Sequence, residues 1–228
     1  MAVSEQEEFR NISRVHRSKI EAKKTYDRIS VVYDCLGGVF ERRIAEQALG
    51  YLMVKSGEKL LEIGFGTGHR LKTIAQLVGD TGKAYGIDIS EGMIQVTKKR
   101  LGKSGLMDRV ELHQGDASKL PFAGESFDAA FMSFTLELFD TPEIPAVLNE
   151  VRRVLKPGGR LGITSLSKAR GSSITLRIYE WIHKKWPQYV DCRPIYLEHF
   201  LHKTGYAIQR KETASLFLLP VEIVIATR

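Results

Sequence analysis

Three acids and a serine stand where an apolar run gives way to glycine or a small residue: Glu62, Asp88, Asp116 and Ser133. The densest of these places is Lys59-Leu60-Leu61-Glu62-Ile63-Gly64-Phe65-Gly66-Thr67-Gly68, with glycines at alternate positions. Glycines so spaced let a chain turn sharply, approach a ligand closely and start a helix whose first amides face that ligand. Asp88 follows 20 residues after Gly68 at the end of Ala84-Tyr85-Gly86-Ile87. A carboxylate there suits the two vicinal hydroxyls of a ribose, although a helix cap shared with Ser90 is an alternative. Asp116 beside Ala117 reads either as a ligand acceptor or as a turn-stabilising acid. Glu62, alone in an apolar strand, must find a donor in either case.

These residues need a frame to bring them together, and the periodicity supplies one. Apolar runs at 59–64, 84–88, 110–113, 127–133 and 160–165 alternate with segments of helical spacing, such as Leu71, Ile74, Leu77 and Val78. The helix after Ser90 takes that serine as its cap, and Ile144 to Leu155 carries an apolar stripe behind Thr141-Pro142, a cap with proline at the first helical position. Lys156-Pro157-Gly158-Gly159 then turns the chain into the strand from Arg160. Strands alternating with helices predict a parallel α/β sheet covered on both faces, with the strand ends forming one ligand-binding rim. After residue 166 the alternation fails. A short helix around Ile174, Ile178 and Trp181, another at 194–204 and two close strands at 206–213 and 221–227 predict an antiparallel C-terminal pair. The expected fold is therefore a Rossmann-like, mostly parallel seven-stranded sheet. Residues 1–55 form an N-terminal helical arm and cap, with a helix over 4–24, and 56–228 form the core, with an acceptor-site lid at 167–204.

The 228 residues suffice for one well-buried domain, and 43% hydrophobic with 27% charged residues is the balance of an ordinary globule. No apolar run is long enough to span a bilayer, and Met1-Ala-Val-Ser-Glu lacks the basic and apolar parts of a secretory leader. Two widely separated cysteines, Cys35 and Cys192, offer neither a disulfide framework nor a thiolate metal site. A cytoplasmic location is the expectation. The formal charge of +7 favours an anionic partner, yet the basic residues are scattered like the outer faces of helices.

As a set, these stretches resemble the class I S-adenosylmethionine-dependent methyltransferases, and more narrowly the ubiquinone and menaquinone C-methyltransferase-like group. The matching pieces are Leu61 to Gly68, Gly86-Ile87-Asp88-Ile89-Ser90 with Met93, Gly115-Asp116-Ala117, Ser126-Phe127-Asp128 with Ser133, and Val154 to Gly159. The resemblance implies S-adenosyl-L-methionine as cofactor. The turn of Gly64, Phe65, Gly66, Thr67 and Gly68 would hold its amino-acid end and ribose, Glu62 would brace that turn or meet the amino group, and Asp88 would accept from the ribose hydroxyls. Ile89 and Met93 would cover the adenine, although Met93 equally suits a core position. Asp116 and Ala117 would meet the adenine edge, and Ser133 the methionine portion. Tyr33 is expected to close the site, and Glu137 or a tyrosine such as Tyr26 to orient the acceptor; His199 and His202 are further candidates for a base. No metal site is visible. After Ser133 the chain reads Phe134-Thr135-Leu136-Glu137, without the polar-Pro-Pro-aromatic stretch of base-methylating enzymes or a Cys beside Pro. It also departs from the Gly-Leu-Arg-Asn type of the quinone enzymes. A small aromatic or apolar acceptor, walled by Phe134, Leu136, Leu138 and Phe139 and by the lid residues Ile174, Ile178, Tyr179, Trp181, Trp186 and Tyr189, is the favoured reading. The alternatives are an RNA or protein methyltransferase, with nucleic acid the weaker partner, and a non-catalytic cofactor-binding protein. The oligomeric state and the methylated atom stay open.

Overall fold

Alternate residues along the central strands face opposite ways, and this divides the interior into two cores. The computed structural model describes residues 12, 14, 15, 17–30, 38–169, 174–185 and 192–228. Its strands are β1 (Lys59–Ile63), β2 (Lys83–Asp88), β3 (Val110–Gln114), β4 (Phe127–Ser133), β5 (Leu155–Leu166), β6 (Ala207–Leu216) and β7 (Leu219–Thr227). The described helices are α1 (Lys19–Ile29), α2 (Gly38–Leu52), α3 (His69–Leu77), α4 (Glu91–Lys103), α5 (Ile144–Val154), α6 (Ile174–Lys185) and α7 (Leu197–Lys203). Leu60, Ala129 and Phe131 pack with Ile44 and Leu52 of α2, Leu71 and Ile74 of α3, and Leu101 of α4. Leu61, Ile63, Ala130 and Met132 pack on the other face with Val147, Leu148 and Val151 of α5 and with Phe200 and Leu201 of α7.

The strand order is β3-β2-β1-β4-β5-β7-β6. β1 to β5 pair in parallel, and β7 runs antiparallel to both β5 and β6. The chain leaves β1 toward β2 on one side and returns to β4 on the other, so a crevice opens at the carboxyl end of β1. This is the seven-stranded arrangement expected from the sequence.

Several boundaries differ for physical reasons. Of the expected helix over 4–24, residues 4–11, 13 and 16 lie outside the described residues; the described arm helix starts at Lys19, where Ser18 and Glu21 form a reciprocal capping box, and runs on to Ile29. Thr141-Pro142 does not cap α5, which begins at Ile144 behind Glu143 with Pro145 in its first turn. The Thr141 hydroxyl is taken instead, accepting from Arg193 Nη1 at 3.0 Å. β5 starts at Leu155, five residues early, because Leu155 pairs with Phe127 across an irregularity before Arg160 pairs with Ala129. The expected lid over 167–204 divides: α7 is a core helix, with Leu197, Phe200 and Leu201 fully buried.

Glu137 is the largest departure. It lies in a 3-10 turn after β4 with no exposed surface, and its Oε1 accepts from the Leu166 amide at 3.1 Å. Its Oε2 has no hydrogen-bond partner, and burial pushes the carboxyl up to about 8. Glu137 joins the ends of β4 and β5 and is absent from the cavity lining, an arrangement that suits a structural group and lends no support to its expected role at the acceptor. A carboxyl raised on folding stabilises fully below the unfolded pKa of about 4.3 and loses that contribution as pH rises through about 8. Glu137→Gln has no such loss. Its melting temperature relative to the parent should therefore climb between pH 5 and pH 8, on the order of 3 °C per pH unit. A difference independent of pH in thermal melts would mean that the carboxyl is ionised in the fold.

Candidate functional site

A cavity of about 630 Å³ opens at the carboxyl ends of β1, β2 and β4. Its lining combines the strand-end residues Gly64, Gly66, Asp88 and Asp116 with the apolar Val15, Ile20, Phe134, Leu138 and Phe139 and the charged Arg17, Lys19, Glu41 and Arg70. α1 contributes Lys19, Ile20, Ala22 and Tyr26 to the lining.

The glycine loop is shaped by what surrounds it. Gly64, Gly66 and Gly68 have φ of 67°, 54° and 76°, the left-handed region where a side chain is strained. A Cβ at Gly64 would lie 2.4 Å from Thr135 Cγ2, and one at Gly68 2.5 Å from Thr97 Cγ2. At Gly66 it would meet nothing within 4 Å, so this glycine keeps a cradle open on the cavity. The loop is tied at both sides: Gly64 N donates to the Ile87 carbonyl at 2.8 Å, and Thr97 Oγ1 donates to the Gly66 carbonyl at 3.0 Å.

Asp88 is the junction of this arrangement. Its Oδ2 accepts from Gly66 N at 2.9 Å and its Oδ1 from Ser90 N at 2.9 Å. Each oxygen retains a lone pair for a further donor. Burial pushes the carboxyl up to about 6 against those amides. Ser90 caps α4 by accepting from Met93 N at 3.1 Å, so the cap and the acid coexist at this corner. Asp27 of α1 accepts from both Ser90 Oγ, at 2.6 Å, and Gly92 N, at 2.9 Å, and so docks the arm here.

Asp116 accepts from Ser118 N at 2.9 Å and from Lys19 Nζ at 2.6 Å. Partial burial raises its carboxyl, but the bonds from Lys19 and Ser118 outweigh that and leave it below the usual range. Lys19 also pairs with Glu143 at 2.8 Å, and Arg14 with Asp140 at 2.6 Å, so the arm spans the mouth of the cavity through ion pairs. Ser133 Oγ is 2.9 Å from Thr164 Oγ1. The next residue, Phe134, has φ of 50°, and strain in a bulky residue lining a cavity marks a position that function can use.

Of the expected ligand-binding residues, the structure brings Gly64, Gly66, Asp88, Ile89, Met93, Asp116, Ala117 and Ser133 together around the cavity. Glu62, Phe65, Thr67 and Gly68 lie behind this lining. Glu62 is buried, takes a 3.3 Å bond from Arg70 Nε and leaves Oε2 without a partner; burial pushes it up to about 7 against that arginine. Phe65 packs against the space left by Gly86, and the Thr67 carbonyl accepts from Arg100 Nη1. Tyr33, Trp186 and Tyr189 lie outside the described residues. Tyr26 lines the cavity, whereas His199 and His202 sit on α7 away from it. Among the described residues of the expected lid, none lines the cavity. The sequence reading missed Lys19, Glu41 and Arg70 in the lining. Only Arg70, placed directly after the glycine turn, carried a signal in its position. Among the described residues no group of three His, Cys, Asp or Glu could hold a metal ion, and no helix is long and apolar enough to cross a membrane.

The donor set suits S-adenosylmethionine on the grounds seen here: an open cradle at Gly66 and, beside it, a carboxylate with acceptor capacity in reserve. Comparison with known proteins points the same way. Residues 60–159 match the family described as methyltransferase domain. Nocamycin O-methyltransferase of Saccharothrix syringae is 36% identical over 139 residues, covering 61% of this chain and 49% of that protein. Demethylmenaquinone methyltransferase of Staphylococcus aureus strain JH9 is 36% identical over 149 residues, 65% of this chain and 58% of that protein. The chain thus spans about half the length of the curated relatives it matches. Among solved structures, the [4+2]-cyclase SpnF superposes with a TM-score of 0.76 at 19% identity, covering 95% of this chain and 98% of its own. A SAM-dependent methyltransferase from Aquifex aeolicus superposes with a TM-score of 0.61 at 24% identity, covering 92% and 98%. These two likenesses establish the fold.

Gly66→Ala separates folding from binding. It adds a left-handed penalty of about 1–2 kcal/mol and no clash, so the melting temperature should fall by no more than about 8 °C. Calorimetry with S-adenosylmethionine should show affinity down at least tenfold; equal affinity would remove Gly66 from the site. A second outcome concerns pH. We propose an ionised Asp88 as the acceptor, for which affinity should weaken about tenfold per pH unit below about 6 and level off above it. Asp88→Asn should flatten that profile and cost roughly 10- to 100-fold at neutral pH. A parent profile already flat from pH 5 to pH 8 would contradict this assignment.

Proposed function

We propose that this chain, whose residues 60–159 match the methyltransferase domain family, is a class I S-adenosylmethionine-dependent methyltransferase acting on a small aromatic or apolar acceptor. When bound, the cofactor supplies a methyl group already activated by its sulfonium, so the protein needs chiefly to align an acceptor and exclude water. Asp88 would accept from the ribose hydroxyls, and Gly64 and Gly66 would let the backbone pass close to the amino-acid end. Asp116 and Ala117 would meet the adenine edge, Ile89 and Met93 its faces, and Ser133 the methionine portion. Glu62 acts behind them, holding Arg70 at the cavity wall.

One observation supports the acceptor class: the cavity lined by Asp88 and Asp116 is lined also by the apolar side chains of Val15, Ile20, Phe134, Leu138 and Phe139. Two of the cations in the lining are already engaged, Lys19 by Asp116 and Glu143 and Arg70 by Glu62, which disfavours a polyanion there. Tyr26, a residue of the cavity lining, would orient an acceptor oxygen or ring, and Tyr33 would close the site. The relatives named for nocamycin and demethylmenaquinone support an acceptor of this kind, and the choice among C-, O- and N-methylation rests with the acceptor itself. A general base is needed only where that acceptor keeps its proton.

The test is transfer of label from S-adenosylmethionine carrying a tritiated methyl group, offered phenols, hydroquinones and bulk RNA in parallel. Label should pass to a ring-bearing small molecule. Leu138→Ala and Phe139→Ala should raise its KM at least tenfold while the cofactor Kd stays within twofold. Label passing only to RNA would favour a polymer substrate, and cofactor binding without transfer to any acceptor would favour a binding protein.

A further inference from the structure

The loop between β6 and β7 is a two-residue hairpin turn, Phe217-Leu218, closed by the pair Leu216 and Leu219. Both turn residues have positive φ, 48° and 68°. Two-residue hairpins of this kind favour Asn-Gly, because a side chain is strained there and the tip faces water. This chain places two large apolar side chains at the tip instead, 67% and 76% exposed. Folding gains nothing from that choice.

The tip does not stand alone. Thr175 Oγ1 donates to the Leu218 carbonyl at 3.5 Å, which sets the start of α6 beside it. α6 buries Leu176 and His183 and turns Tyr179 inward, where its hydroxyl donates to the Cys192 carbonyl at 3.0 Å. Its outer face shows Ile178 and Trp181, each 53% exposed, with Arg177 and Lys185 also exposed. Lys185 Nζ lies 5.2 Å from the centroid of the Trp181 ring. Glu180, the one acid in the α6 sequence, is drawn away into a 2.6 Å pair with Lys168. The outer face is therefore apolar and basic at once. None of this surface lines the cavity, so the site already described does not account for it.

We propose that the β6–β7 tip and the outer face of α6 dock the protein reversibly on an anionic lipid surface. Trp and aliphatic residues flanked by Arg and Lys are the composition that sits at a headgroup boundary, with basic groups on anionic headgroups and apolar groups below. Charge decides against a second copy of this chain, since two like-charged faces repel. Phe217 and Trp181 offer rings on which a base could stack, whereas the exposed aliphatic side chains of Ile178 and Leu218 suit a headgroup boundary; RNA is therefore an outcome that the test below separates. The proposal is independent of the methyl-transfer reading.

The test uses the full chain and sedimentation with phosphatidylcholine vesicles, with and without phosphatidylglycerol. The parent should bind the anionic vesicles, bind the neutral ones at least tenfold more weakly and be released by salt. The variant Phe217→Asn with Leu218→Gly installs the favoured turn, so its melting temperature should equal or exceed the parent's while vesicle binding drops at least tenfold. Trp181→Gln should weaken binding in the same direction. The proposal is overturned if the parent ignores anionic vesicles, or if the turn variant binds them as the parent does. It is also overturned if these substitutions instead abolish self-association or RNA binding that the parent shows without lipid.

Discussion

The bond from the Gly66 amide to the Asp88 carboxylate is the contact on which the site depends. It ties the turn after β1 to the end of β2 and fixes the width of the crevice between them. Everything adjacent presupposes it. Gly64 must be glycine because Thr135 fills the volume a side chain would take, and Gly68 must be glycine because Thr97 does. Thr97 in turn reaches the Gly66 carbonyl, so the same loop is held from both sides by groups too close to move. The loop is rigid at its flanks and empty at its centre, the geometry that pre-organises a backbone for a ligand.

The acids of this rim show how burial is used. Glu62, Asp88 and Glu137 are all taken out of water, and burial raises each above its ordinary value. Their consequences differ with their neighbours. Glu62 faces an arginine, Asp88 faces two backbone amides and the cavity, and Glu137 faces one amide with no opening beside it. Of the three, only Asp88 combines a lone pair in reserve with access to a ligand. A carboxylate near a site is thus not a site residue until its surroundings leave it something to do.

Much of this was legible in the chain. The strand ends that carry Glu62, Asp88, Asp116 and Ser133 follow from short apolar runs punctuated by glycine, a pattern that local physics fixes. The sheet order follows because parallel strands joined by helices have few ways to close. What could not be read depended on contacts distant in sequence. Glu137 looked like a loop acid beside an apolar wall, and only the Leu166 amide 29 residues on shows it to be internal. Thr141 looked like a helix cap until Arg193, 52 residues away, claimed its hydroxyl. The helices of the expected lid had amphipathic stripes, but a stripe does not say which surface it covers; α7 covers the sheet.

That redistribution changes which part of the protein meets the acceptor. The described C-terminal segment supplies none of the cavity wall, whereas α1 supplies Lys19, Ile20, Ala22 and Tyr26. Yet no residue of α1 is fully buried, and polar bonds tie it to the core: Lys19 to Asp116 and Glu143, Asp27 to Ser90 and Gly92. Ion pairs that remain partly exposed contribute little each, and an element secured by them opens at lower cost than one secured by apolar burial. A wall of that kind can admit a molecule the size of the cavity without disturbing the two cores beneath. The same arithmetic explains why Asp116 and Asp27 do double duty: each ties down the arm at a strand or helix end that also borders the crevice, so the arm is fastened at the place where a ligand would arrive.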